Sequence, residues 1–222
     1  EIHLSITQLF EKIVMNKRGG FCYELNYLFA ALLTTCGFKV SLLSAQVFDG
    51  DALGREFDHM LLLVEIEDTH YIADVGFGDS FLFPIELGTG PIEQFGYQYK
   101  LMEKNEKQIL LRKKNNGKWQ PQYTFSLTPY EIEAFKPMCE FQQTSLESSF
   151  TKKSVCSIAT QIGRLTISNG KFIETNKGIR SEKLIGSSKY YRQILQEYFN
   201  MPFVENISLT TWNKLGIRAV SN

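Results

Sequence analysis

Only four cysteines and three histidines occur among the 222 residues of this chain. Cys22, Cys36, Cys139 and Cys156 form no C-x-x-C pair, and no histidine stands at zinc-ligand spacing from any of them. A zinc module is therefore excluded, and no metal is expected. Four cysteines are too few to staple so long a chain, so they read as reduced thiols of the cytoplasm. No apolar run nears the roughly 18 residues of a membrane span, and no basic-then-apolar segment opens the sequence. Neither sign of charge is in excess. The 24 basic and 24 acidic residues cancel, which points away from nucleic acid and anionic membranes as partners. The clusters Arg112-Lys113-Lys114 and Lys152-Lys153 are short and read as solvated turns.

What remains is an ordinary globular composition, 43% hydrophobic and 22% charged, with enough length for a sizeable core. Leu4, Ile6, Leu9, Phe10, Ile13 and Val14 recur at helical spacing, with Ser5 or Thr7 as N-cap. Arg18-Gly19-Gly20 breaks that pattern. A second helix is predicted over 22–35, with a stripe of Leu25, Leu28, Phe29, Leu32 and Leu33, and Gly37 closes it. The period then changes to two. Strands are predicted over 38–48, 58–66, 71–75, 98–102, 109–113, 119–127, 164–168 and 171–174. A turn at Glu67-Asp68 joins the second and third, and Ser168-Asn169-Gly170 makes a hairpin turn. Helical pattern returns over 129–135 and 190–199. This order predicts an α+β protein: an N-terminal helical bundle (residues 1–37), a central antiparallel β-barrel (38–128), and an interdomain segment with a C-terminal α/β lobe (129–222). Glu1-Ile2-His3-Leu4 runs directly into the first helix, so the bundle reads as truncated.

Three residues suggest chemistry. Cys22 opens a helix directly after Gly19-Gly20-Phe21. Backbone N–H groups and the positive end of the helix dipole favour a thiolate there, and the glycines admit a substrate carbonyl. Alone, Cys22 would read as a small buried hydrophobe. His59 opens a strand after a polar loop, a position that structural histidines also take. Asp74 sits in the apolar run Tyr71-Ile-Ala-Asp-Val75, where a carboxylate is costly without a partner. With the turn at Glu67-Asp68, Asp74 falls opposite Leu61 and diagonal to His59 on one face. A buried Asp74 capping a turn at Gly76 is the competing reading. Together the three compose a Cys–His–Asp arrangement in which the aspartate orients the imidazole and the imidazole holds the thiol proton.

The blocks around these residues, Arg18-Gly-Gly-Phe-Cys-Tyr-Glu-Leu-Asn26, Phe57-Asp-His-Met-Leu-Leu-Leu-Val64 and Asp74-Val-Gly-Phe-Gly78, resemble the signatures of arylamine N-acetyltransferases. Gln143-Thr-Ser145 and Ser149-Phe-Thr-Lys-Lys-Ser-Val-Cys-Ser157 resemble the family's stretch after the barrel. The resemblance implies a bundle, a barrel and an α/β lid. It also implies ping-pong transfer of acetyl from acetyl-coenzyme A to an arylamine or hydrazine. Residue by residue, it implies Cys22, His59 and Asp74 as the triad and Phe77, Phe21 and Asp58 around the acceptor. It implies Arg55, Gly78, Phe141 and Glu147 along coenzyme A, where Glu147 brings a like charge to a polyanion. The two phenylalanines also read as plain core. A monomer or weak homodimer is expected. Two alternatives stay open: a Cys–His–Asp thiol hydrolase or transglutaminase-like enzyme, and a non-catalytic relative that binds coenzyme A or an arylamine.

Overall fold

The alternating pattern after residue 38 is realised as one antiparallel sheet. The computed structural model describes residues 1–114, 117–152 and 154–202. Lys153 and residues 203–222 of the expected C-terminal lobe lie outside the described residues. Eight strands run across the sheet in the order Ile85–Glu86, Thr69–Ala73, His59–Ile66, Lys39–Asp49, Gln120–Tyr130, Lys107–Lys114, Tyr97–Lys104, Ile92–Gln94. Ala52–Leu53 adds to the Lys39–Asp49 strand as a ninth. The sheet curves into a nearly closed, barrel-like form. Its inward positions recur every second residue (Leu43 and Ala45, Tyr123 and Phe125) and meet Leu61, Ile72, Phe81, Ile85, Tyr99 and Leu110 in one core.

Two compact units make up the chain. One comprises His3–Leu9 and Gly20–Cys139, and so holds the curved sheet and the helix Cys22–Thr35. The other comprises Glu1–Ile2, Phe10–Gly19 and the chain from Glu140. In this second unit Val155–Thr160, Gly163–Ser168, Lys171–Asn176 and Ile179–Leu184 form an antiparallel sheet in chain order. Asn169 and Gly170 both take positive φ, 49° and 71°, as a two-residue hairpin turn requires. Helix Ser188–Phe199 buries Tyr191, Ile194 and Phe199 with Leu165, Ile167, Phe172 and Ile185. Ser187 caps it by accepting the Tyr190 N–H at 3.2 Å, and Asn200 ends it in the left-handed region.

Several elements depart from the sequence reading. The single N-terminal helix is a short α-helix, Ile6–Leu9, followed by π-helical turns over Phe10–Met15. Wider turns spoil the i, i+3, i+4 register. Of the expected apolar face only Leu9 is buried, while Phe10 and Val14 stay exposed. The helix expected over 129–135 begins later, because the strand runs to Tyr130 with Pro129 paired to Leu43. A 3-10 turn Ile132–Phe135 then leads into helix Lys136–Thr144. The short strands Ile85–Glu86 and Ile92–Gln94, and the strands Val155–Thr160 and Ile179–Leu184, add to those expected from the sequence. Ile179–Leu184 is exposed along its whole length and so carries no apolar alternation.

Helix Cys22–Thr35 matches its expected limits, and Gly37 follows at φ 91°. Its buried face differs. The leucine stripe is half-buried or exposed, and the helix instead turns Cys22, Tyr23, Asn26 and Ala30 inward. Ala30 packs with Leu62, Val64 and Ala73. Small and polar side chains let the helix lie close on the sheet, so bulk is penalised there. Ala30→Leu is expected to destabilise the fold by about 1–3 kcal/mol through overpacking. Leu32→Ala, at a position 57% exposed, is expected to stay within about 0.5 kcal/mol. Urea unfolding midpoints of the two variants check the contrast.

Candidate active site

The hairpin register brings the first two site residues together. His59–Ile66 pairs with Thr69–Ala73 from Ile66↔Thr69 to Leu62↔Ala73. Continued one step, this register sets Asp74 beside Leu61 and diagonal to His59. The strand ends at Ala73, earlier than its expected limit, because Asp74 bends the chain onto itself. Its Oδ1 accepts the N–H groups of Gly76 at 2.9 Å and Phe77 at 3.2 Å. Its Oδ2 lies 2.7 Å from His59 Nε2. Both side chains are buried, at 3% and 0% exposure.

Two further donors complete the carboxylate's surroundings. Asn26 Nδ2 donates to Asp74 Oδ1 at 3.0 Å and to the Met60 carbonyl at 2.6 Å. Asn26 Oδ1 accepts the Val75 N–H at 2.9 Å. Tyr123 donates its hydroxyl to Asp74 Oδ2 at 3.1 Å from the strand Gln120–Tyr130. Neither is among the site residues expected from the sequence, although Asn26 closes the Arg18–Asn26 block. The available signal was its spacing: Asn26 falls four residues after Cys22, one turn along the same helix face.

Cys22 stands at the first position of its helix and is 5% exposed. Gly76 explains how helix and turn come so close. A Cβ on Gly76 would lie 2.6 Å from Cys22 Cα and 2.8 Å from Asn26 Nδ2, so any larger residue collides with the Cys22 backbone. Glu24, also buried, returns its carboxylate to the Phe21 N–H at 3.2 Å and secures the helix start.

The charges support one another. Burial alone would discharge His59. The negative charge of Asp74, that of Cys22 and hydrogen bonds to both outweigh it and hold the imidazole at about 10, against an ordinary 6.5. Burial likewise opposes the Asp74 carboxylate. The His59 charge and the hydrogen bonds from His59, Asn26 and the Gly76 N–H nevertheless keep it below its ordinary 3.8. Since Nε2 is engaged by Asp74, Nδ1 is the ring nitrogen left for the Cys22 thiol.

Phe77 sets its ring edge-on to His59 at 5.1 Å and to Tyr123 at 5.0 Å, so it borders the imidazole. Phe21 meets Tyr23 at 5.0 Å. Asp58 lies directly before His59, half-buried. Arg55 is exposed in the same connecting loop, and Gly78 is exposed at φ 80° in the turn after Phe77. Phe141, half-buried on helix Lys136–Thr144, and the exposed Glu147 belong to the other unit. All four cysteines are free thiols. Among the described residues no helix is long and apolar enough to cross a membrane. None of them clusters into a metal-binding group of three or more His, Cys, Asp or Glu.

The chain as a whole is similar to known proteins. A family model described as N-acetyltransferase matches residues 1–207. The chain is similar to arylamine N-acetyltransferase 2 of Mesocricetus auratus, 36% identical over 183 residues. That match covers 73% of this chain and 63% of the hamster protein, so it spans less than two thirds of that relative's length. A pineal gland arylamine N-acetyltransferase of Gallus gallus is 31% identical over 226 residues, covering 90% of this chain and 78% of its own. Among solved structures, the arylamine N-acetyltransferase of Salmonella typhimurium superposes with a TM-score of 0.86 at 28% identity. It covers 97% of this chain and 81% of its own.

The two shifted groups make stability depend on pH in a definite direction. His59 is raised on folding, so its contribution is complete below about pH 6.5 and is lost as pH rises through about 10. Asp74 is lowered, so its contribution is present above about pH 3.8 and is lost as pH falls through the folded value. Melting temperature is therefore expected to decline between pH 6.5 and 10 in the wild type. His59→Gln should be less stable at pH 6.5 and should show a flatter alkaline limb.

Proposed function

The chain belongs to the arylamine N-acetyltransferase family, and from that premise we propose that it carries acetyl from acetyl-coenzyme A to an arylamine or hydrazine by way of Cys22. One observation carries the reading: a buried imidazole fastened to Asp74 at 2.7 Å, with its other nitrogen left for a helix-start cysteine. His59 takes the thiol proton of Cys22 and holds it as an imidazolium, whose charge Asp74 balances. That sulfur attacks the thioester carbonyl carbon. Backbone N–H groups at the helix start, where Cys22 stands, are the donors proposed for the oxyanion. As the carbon–sulfur bond to coenzyme A breaks, His59 gives its proton to the leaving thiolate. The enzyme is left with an acetyl-Cys22 thioester and a neutral imidazole.

The second half reverses these roles. The amine nitrogen attacks the acetyl carbon, His59 removes the amine proton, and Cys22 leaves as the thiolate beside a restored imidazolium. Exchange of one thioester for another is nearly thermoneutral, which is why a thiol suits this donor. Throughout, Asp74 holds the ring orientation and balances its charge.

Phe77 is assigned to the acceptor wall, since its ring borders His59 and an aromatic face suits an aryl amine. Phe21 and Asp58 are assigned to the same surroundings. Arg55 is assigned to the coenzyme A phosphates, for which a guanidinium is well shaped, with Gly78 near it in role. Phe141 and Glu147 keep their coenzyme A assignment from the family resemblance alone. A cytoplasmic monomer or weak homodimer completes the reading, and free thiols fit a reducing compartment.

Incubation with acetyl-coenzyme A, with and without an arylamine, tests the reading. Coenzyme A release that depends on the amine, with parallel double-reciprocal lines, is expected. Free acetate forming at the same rate with or without amine would instead identify a hydrolase. Absence of any coenzyme A release would identify a binding relative.

A further inference from the structure

The chain enters the His59 strand through a residue in an uncommon conformation. Phe57, two positions before His59, has φ 63°, in the left-handed region that residues with a Cβ seldom occupy. It is held there from three sides. Its N–H donates to Ser44 Oγ at 2.9 Å, and Ser44 is itself buried. Its carbonyl accepts the Tyr23 hydroxyl at 2.7 Å, and the same hydroxyl lies 3.3 Å from the Asp58 carbonyl. Its ring stands edge-on to Tyr130 at 4.9 Å and Phe135 at 5.2 Å.

Tyr23 is the helix residue after Cys22, and Ser44 neighbours the position that pairs with His59 through Ala45. One hydroxyl thus connects the backbone of the nucleophile to the peptide that delivers the base. We propose that Tyr23 and Ser44 are positioning residues which hold Phe57 left-handed and thereby set the His59 imidazole against the Cys22 sulfur. This rests on the acetyl-transfer reading for its kinetic consequence, though not for its effect on the thiol. Tyr23 is suited to the task because it stays a donor. Burial first, then the charges of Cys22, Asp58 and Cys139, push its phenol well above the ordinary range. Strained residues persist only where surrounding contacts over-determine them, and such contacts gather at functional sites.

Tyr23→Phe keeps the ring and removes only the hydroxyl. Three measurements on the full chain test it: alkylation rate of Cys22 by iodoacetamide against pH, steady-state kinetics, and melting temperature. The alkylation profile is expected to move toward that of His59→Gln, with a rate at pH 7 lowered about fivefold. The kcat is expected to fall about tenfold with KM for both substrates little changed, since a small displacement of a positioned base is costly to rate. Ser44→Ala should act in the same direction, and the double variant should lose less than the product of the two single losses. Wild-type alkylation profiles in both variants, with only the melting temperature lowered, would overturn the proposal. If the wild type moves no acetyl while Tyr23→Phe still shifts the alkylation profile, the acetyl-transfer reading fails and the positioning role stands.

Discussion

A carboxylate taken out of water costs several kcal/mol unless other groups replace its hydration. Asp74 is such a carboxylate, and five donors surround it: His59, Tyr123, Asn26 and the N–H groups of Gly76 and Phe77. They arrive from different elements. Asn26 comes from the Cys22–Thr35 helix, His59 and Tyr123 from two strands, and the amides from Asp74's own turn. Satisfying the charge therefore aligns helix, sheet and turn at one point, and loss of any donor would leave a buried charge undersupplied. Because the carboxylate stays ionised, the imidazole beside it stays charged as well.

The same constraint explains the composition of the helix face. A helix packed only for hydrophobic burial would turn its leucines inward. This one presents Cys22, Tyr23, Asn26 and Ala30, and Gly76, lacking a Cβ, leaves room for Cys22 and Asn26 to approach the turn. Packing and chemistry use the same residues here. Asn26 joins the helix to the Met60 carbonyl and the Val75 N–H while it serves Asp74, so a change there is felt in both.

Much of this was legible from sequence where a local rule suffices. The Glu67-Asp68 turn sets the hairpin register by counting, and with it the His59–Asp74 diagonal. Cys22 is marked by its place after two glycines. Tyr123 could not be found in this way, because it reaches Asp74 from a strand 49 positions further along the chain, and no local spacing records that. The inward face of the helix is legible only in part: Phe29 and Leu33 of the stripe pack on the sheet core, whereas Cys22, Tyr23 and Asn26 carry no apolar period. Hydrophobic periodicity locates the apolar stripe, whereas the sheet selected a smaller and more polar one. The π-helical turns over Phe10–Met15 and the exposed strand Ile179–Leu184 fail for lack of any distinct period. The signature blocks carried the family further than geometry alone, since they include residues whose roles appear only after folding.

The central claim is that the buried ion pair of His59 and Asp74 prepares Cys22 to become acylated. Mass spectrometry of peptides from protein exposed to acetyl-coenzyme A without an acceptor tests it most directly. One acetyl group on the peptide holding Cys22, strongly reduced in Asp74→Asn and discharged on adding an arylamine, is the predicted result. Acetyl found equally on Cys36, Cys139 or Cys156, or on Cys22 regardless of Asp74, would contradict it.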